Sequence, residues 1–199
     1  MKAKKAVGRI MNSNHSDPNI LAARINAVNK ESERVPIDCG HFDIRIRRDG
    51  RWYYRGSEIK RKPLIKLFSS VLKRDSEGQF WLETPVEKGR IDVDDAPFLA
   101  VTLEVTGKGP SQILTFYTNL DQIVTVDSEH PIRVETDPIT EEPSPYVAVS
   151  GTIDALIARS IFYQLVDLAV SYKDDKIIGV WSSGLFFELG SFQSGIESN

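Results

Sequence analysis

Apolar and polar residues alternate along FDIRIRRDGRWYYR, Phe42 to Arg55. A period of two predicts a β-hairpin, and the central Asp49-Gly50 predicts a two-residue type I′ turn. That turn sets Arg48 opposite Arg51, Arg47 opposite Trp52, Ile46 opposite Tyr53 and Arg45 opposite Tyr54. One face then holds Phe42, Ile44, Ile46 and Tyr53 toward the core. The other carries Arg45, Arg47, Trp52 and Tyr54 as a cation–aromatic ladder. Earlier, SDPNILAARINAVNK reads as a short helix, with Ser16 or Asp17 as cap, Pro18 in the first turn and an apolar stripe of Leu21, Ile25 and Val28. After the hairpin, Leu64, Leu67, Phe68, Val71 and Leu72 recur at helical spacing, so PLIKLFSSVLK predicts a helix starting near Lys62.

The period of two returns in QFWLETP, FLAVTLEVT, SQILTFYTN, QIVTV, PIRVE and YVAVS, all read as strands. TIDALIARSIFYQLVDLAVSY, Thr152 to Tyr172, predicts the longest helix, with Thr152 as N-cap and Ala158, Ile161, Phe162, Leu165, Leu168 and Ala169 on its apolar face. IIGVWSS and LFFEL close the chain as strands. The order strand, helix, polar turn, strand occurs twice, 98 residues apart, pairing Arg61 with Arg159, Leu67 with Leu165 and Thr84 with Ser182. The chain therefore reads as α+β: an N-terminal helical region (1–35), a first α+β repeat (36–97) and a second (98–199).

Composition sets limits. A chain of 199 residues with 41% hydrophobic and 27% charged residues can bury a sizeable core. No run reaches the roughly 20 apolar residues that cross a bilayer, and the basic N-terminus lacks the apolar core of a secretory signal. Cys39 is the sole cysteine, so no internal disulfide forms; a cytoplasmic location is expected. The net charge of −3 hides an asymmetry: Arg45 to Arg74 holds eleven Lys/Arg against two acids, while Asp121 to Glu142 holds seven acids and one arginine. Either the two regions offset each other within the fold or the first forms an anion-binding face.

Catalytic signatures are scarce. Cys39 and His41 give two ligands where structural zinc takes four. TGKGPS lacks phosphate-loop spacing, VWSSGLF lacks the Gly-x-Ser-x-Gly elbow, and DVDDAP lacks the calcium-loop pattern and reads as a solvated turn. No metal and no cofactor is expected. Three features stand out. Arg159 lies within the predicted long helix, at the margin of its buried face, and needs an acidic partner or a ligand anion. Thr84 to Lys88 follows a strand end, where loops carry function. Asn119 ends another strand, where an Asn satisfies backbone groups or meets a ligand.

DGRWYYRGSEIKR, LFSSVL, FWLETPVEKGRIDVDDAPF, TNLDQIVTVDSEHPIRV and GTIDALIARSIFYQLVDLA together resemble the bacterial domain-of-unknown-function family DUF1285, from about Pro36 to Leu189. The resemblance implies a duplicated core, a C-terminal half like pleckstrin-homology folds, and a ligand site between the halves for a nucleotide-like molecule in signalling. It carries over no catalytic residue. Arg61, Thr84, Glu87, Lys88, Asn119, His130, Arg133 and Arg159 fall in the matching segments and are candidates for binding, with Trp81 or Trp52 to stack on a base. The expectation is a non-catalytic binding or sensory module. One alternative is a protein-interaction module whose basic hairpin docks an acidic partner; an enzyme using His130 is less favoured. The acidic remainder argues against strong nucleic-acid binding.

Overall fold

The hairpin forms where the alternation places it, one residue out of the expected register. The computed structural model describes residues 17–27, 35–172 and 176–191. In it β1 (Ile37–Ile46) pairs antiparallel with β2 (Trp52–Tyr54), setting Ile46 opposite Trp52, Arg45 opposite Tyr53 and Ile44 opposite Tyr54. The connection is a three-residue loop, not a type I′ turn. The Gly50 amide donates to the Arg47 carbonyl at 2.8 Å, and the Arg47 amide to the Arg51 carbonyl at 2.9 Å. Gly50 sits at φ +77°, the left-handed position that closes such loops. The extra residue exchanges the faces of β2. Trp52 is fully buried, its ring 6.3 Å from that of Phe68. Tyr53 is the outer residue, with the Arg47 guanidinium 4.1 Å from its ring centroid. Tyr54 turns inward and packs on the core.

The chain continues through β3 (Ser57–Glu58), α2 (Lys62–Ser69), β4 (Leu72–Arg74), β5 (Phe80–Glu83) and β6 (Glu87–Val93). Helix α2 starts as expected, with Pro63 in its first turn and Leu64, Ile65 and Phe68 buried. It ends before Val71: the Ser69 and Ser70 hydroxyls donate back to the Lys66 and Leu67 carbonyls at 2.8 and 2.7 Å, and Leu72 opens a strand. Thr84 to Lys88 is not a simple loop, since β6 begins at Glu87. Asp92 likewise belongs to β6 and not to a solvated turn. Strands β1–β6 form one sheet, ordered β3-β2-β1-β6-β5-β4, with β1 and β6 parallel.

The second sheet is built from β7 (Phe98–Thr106), β8 (Ile113–Thr118), β9 (Ile123–Thr125), β10 (Ile132–Thr136), β11 (Pro143–Ser150) and β12 (Ile153–Ile157), ordered β10-β11-β12-β7-β8-β9. Strand β12 corrects the expected long helix. Gly151, at φ +52°, turns the chain back along β11, and β12 also pairs with β7, so Ile153, Ala155, Leu156 and Ile157 are all buried. A strand enclosed on both faces reads as a continuous apolar run, which periodicity alone cannot distinguish from a helix. Thr152 is therefore no N-cap; its hydroxyl donates to the Arg74 carbonyl at 3.3 Å. Helix α3 (Arg159–Asp167) follows, then a third sheet of β13 (Val170–Tyr172), β14 (Ile177–Ser182) and β15 (Leu185–Ser191).

At the N-terminal end, α1 (Pro18–Ala27) is capped by Asp17, whose carboxylate accepts the Asn19 amide at 2.8 Å. Leu21 is fully buried and Ile25 packs on the core; Ser16, Val28 and Lys30 lie outside the described residues. One apolar cluster runs from Leu21 through Trp52, Phe68, Phe116 and Ile157 to Leu189, so the halves share a core. The third sheet is fastened to the second by Ser182, which donates to the Val126 carbonyl at 2.7 Å and accepts the Leu114 amide at 3.0 Å. The fold is mixed α+β and mostly strand. Among the described residues, no helix is long and apolar enough to cross a membrane.

Candidate functional site

Most of the basic region is neutralised within the fold. Arg45 meets Asp94, Arg48 meets Asp95, Arg51 meets Asp49, and Arg55 meets Asp43. Lys62 and Lys66 converge on Asp121 at 2.7 and 2.6 Å, Lys73 meets Glu83, and Arg74 approaches Asp154. The two lysines hold the Asp121 carboxyl below its usual range. Exposed pairs of this kind contribute about 0–1 kcal/mol each, but they leave few cations for a ligand. Among the described residues, Asp121 is the member of the acidic segment that forms ion pairs with this region. Asp137 instead accepts the Thr140 and Ile139 amides of its own loop, which lowers its pKa.

The nine candidate residues do not form one site, although Thr84 meets Glu87 and Lys88 meets Trp81. Asn119 satisfies backbone groups: its side chain accepts the Leu99 amide and donates to the Gly50 carbonyl, both at 3.1 Å, tying the hairpin loop to the second sheet. Thr84 is buried in a turn, donating to the Glu87 carbonyl and accepting the Glu87 amide. The Glu87 side chain points inward to Arg24 of α1 at 2.6 Å. The Trp81 indole donates to Asp75 at 2.8 Å, and the Lys88 ammonium lies 4.8 Å from its ring. His130 contacts Asp127 at 3.0 Å. Arg133 bridges Glu135 and Asp154 and lies over the Tyr146 ring. Arg61 precedes α2 and lines a hollow between α1 and α2.

Arg159 differs most from expectation. It is not inside a helix beside a buried face: it is the exposed first residue of α3, and its Nε donates to the Tyr163 hydroxyl at 2.7 Å. No side chain caps this helix. A cation at the positive end of a helix dipole is locally unfavourable unless an anion joins it. Arg159 borders a groove of about 620 Å³, with Leu99, Leu156 and Phe162 as apolar lining, Tyr163 alongside, and the 142–145 segment as one wall. The first half contributes Arg48, held by Asp95 at 3.0 Å and the Ser144 hydroxyl at 2.9 Å. Arg48 was not a candidate, since its place in the groove follows from the unanticipated loop.

A smaller hollow of about 130 Å³ lies nearby, lined by Arg74, Arg133, Asp95, Asp154 and Tyr146. Burial raises the Asp154 pKa despite the opposing pull of Arg133 and Arg74. Burial, then the hydrogen bond to Asp95, pushes the Tyr146 hydroxyl up to about 12. Here acids and bases satisfy one another, so the cluster reads as a clamp between the halves. Among the described residues no His/Cys/Asp/Glu group is arranged to hold a metal.

Two family models match the chain: the DUF1285 N-terminal domain, of unknown function, over residues 32–96, and the DUF1285 C-terminal domain, likewise of unknown function, over residues 97–189. A crystal structure of a DUF1285 family protein from Silicibacter pomeroyi DSS-3 is 44% identical with a TM-score of 0.77, covering 86% of this chain and 95% of that one. A second, from Shewanella baltica OS155, is 25% identical with a TM-score of 0.51, covering 67% and 94%. No curated protein matches the chain.

Proposed function

Because the chain belongs to the DUF1285 family, whose function is unknown, we propose that it is a non-catalytic sensory module that binds a nucleotide-like anion in the groove between its halves. The observation that carries this reading is Arg159 at the uncapped start of α3, on an apolar-lined groove of about 620 Å³ that Arg48, paired with Asp95, and Glu142 also border. That volume and lining suit a small ligand. The ligand's phosphate would rest on Arg159 and the uncapped end of α3, and its base against Phe162 or Tyr163.

The order of elements supports reading the two halves as a duplication. Helix and three antiparallel strands occur as α2–β4–β5–β6 and again as α3–β13–β14–β15. In this alignment Arg61 and Arg159 both stand at a helix start. The pleckstrin-homology likeness of the C-terminal half and a cytoplasmic role belong to the same proposal.

Calorimetry with a panel of mono- and dinucleotides, with inorganic phosphate as control, tests the reading. Saturable binding at micromolar ligand, weakened about tenfold or more by Arg159→Ala, is expected. Arg159 is the cleaner variant because its contact is to Tyr163 on its own helix. If no nucleotide binds, or the variant binds equally well, the reading is wrong.

A further inference from the structure

We propose that the surface under α1 is a docking site for an arginine-bearing amphipathic helix of a partner protein, and that α1 fills this site in cis. Three observations at this surface point the same way.

The first is Glu87. It is 5% exposed, and Arg24 of α1 meets one of its oxygens, Oε2, at 2.6 Å. The other, Oε1, is buried with no hydrogen-bond partner among the described residues. A guanidinium can engage both oxygens of a carboxylate in parallel, so Arg24 leaves half of a charged acceptor unmet. An unsatisfied buried acceptor is costly. A helix that presents its arginine squarely to Glu87 recovers that bond.

The second is packing. Between α1 and α2 a groove of about 330 Å³ stays open, lined by Ala22 and Ala23 on α1 and by Leu64, Leu67 and Arg61 on the other side. Two alanines underfill a surface whose opposite wall is leucine, and unfilled apolar volume forfeits contacts. Arg61, at this groove, has no ion-pair partner among the described residues. A helix with larger apolar residues at the alanine positions and an acid facing Arg61 fits better than α1 does.

The third is that α1 lies before the family's N-terminal domain, which begins at residue 32, while Leu64, Thr84 and Glu87 lie within it. A helix of ten residues has little stability of its own, so α1 depends on this imperfect seat and is displaceable. The partner is thus a helix with a central arginine, bulky apolar residues at the two positions before it, and an acid a further turn back.

The test uses the full chain and a labelled peptide of residues 16–29 bearing Asn19→Glu, Ala22→Leu and Ala23→Leu, followed by fluorescence anisotropy. Saturable binding in the micromolar range is expected, about tenfold tighter than the unmodified peptide. Glu87→Gln in the protein should weaken it by a similar factor. Arg61→Glu, a surface change that leaves folding intact, should weaken the Asn19→Glu peptide and not a peptide that keeps Asn19. Absence of saturation at millimolar protein, or binding indifferent to both protein variants, overturns the proposal. So does competition by octanoate, which would assign the groove to a small amphiphile.

Discussion

Gly50 and Asn119 form a coupled joint between the halves, and a double-mutant cycle measures it. The Asn119 side chain makes two hydrogen bonds, to the Leu99 amide and the Gly50 carbonyl. Losing both in Asn119→Ala costs about 2 kcal/mol at about 1 kcal/mol each, a fall in Tm of about 4–8 °C for a chain of this size. Gly50 sits at φ +77°, and a Cβ there would lie 2.6 Å from the Asn119 amide nitrogen. Gly50→Ala therefore combines about 1–2 kcal/mol of left-handed backbone strain with expulsion of the Asn119 side chain, for about 3 kcal/mol or more. With Asn119 already alanine, only the backbone cost remains. The two substitutions should thus be less than additive by about 1.5–2 kcal/mol. Urea denaturation of wild type, both single variants and the double variant reads this directly. Costs additive to within about 0.5 kcal/mol refute the joint.

Other predictions follow from the same contacts. Trp52 is buried with its indole nitrogen unpartnered among the described residues, so Trp52→Phe should cost about 1–2 kcal/mol, well below the roughly 3–5 kcal/mol of Trp52→Ala; an outward-facing indole would make both changes nearly silent in denaturation. Trp81 donates to Asp75, and that bond, ahead of the Gln79, Glu77 and Gly78 amides, lowers the Asp75 pKa. A depressed carboxyl stabilises above its unfolded pKa and loses that contribution as pH falls toward the folded value. Trp81→Phe should accordingly lower stability at pH 7, and the deficit should shrink as pH falls below the ordinary aspartate range. Tyr146, raised to about 12, stabilises fully below the ordinary tyrosine pKa and loses this as pH climbs through 10 toward 12. Tyr117 is raised as well, by its bond to Glu104; the latest component of an ultraviolet titration should be lost in Tyr146→Phe and come earlier in Asp95→Asn.

Much of the fold was legible because local patterns and tertiary pairing agree. The strands from Phe98 to Ser150 and the pair that closes the chain sit where alternation put them. So does α2, whose apolar stripe and Pro63 agree on where it starts. The failures share a cause. Asp49-Gly50 favours a two-residue turn in isolation, yet here the Gly50 carbonyl is held by Asn119 and Arg48 by Asp95 and Ser144. Contacts about 45 to 95 residues away therefore select the three-residue loop, and with it which of Trp52 and Tyr53 faces the core. Strand β12 was missed for the same reason: its apolar run fits a helix until β7 and β11 flank it.

The candidate site was less legible because a residue's value to a ligand depends on what already occupies it. Residue type and charge density pointed to the Arg45–Arg74 region, but sequence cannot say that Arg45, Arg55, Lys73 and Arg74 each find a carboxylate at home. Nor can it say that Thr84 and Asn119, polar residues at strand ends, spend their hydrogen bonds on backbone. What survives that subtraction is small and informative. Among the described residues, the Arg159 guanidinium hydrogen-bonds a tyrosine on its own helix and has no ion pair within contact distance, and one buried Glu87 oxygen has no hydrogen-bond partner. Unspent bonding capacity, rather than charge or polarity in itself, is what singles out these two positions. Arg159 borders the groove at the start of α3, while Glu87 lies against Arg24 of α1, so each can be tested without disturbing the other.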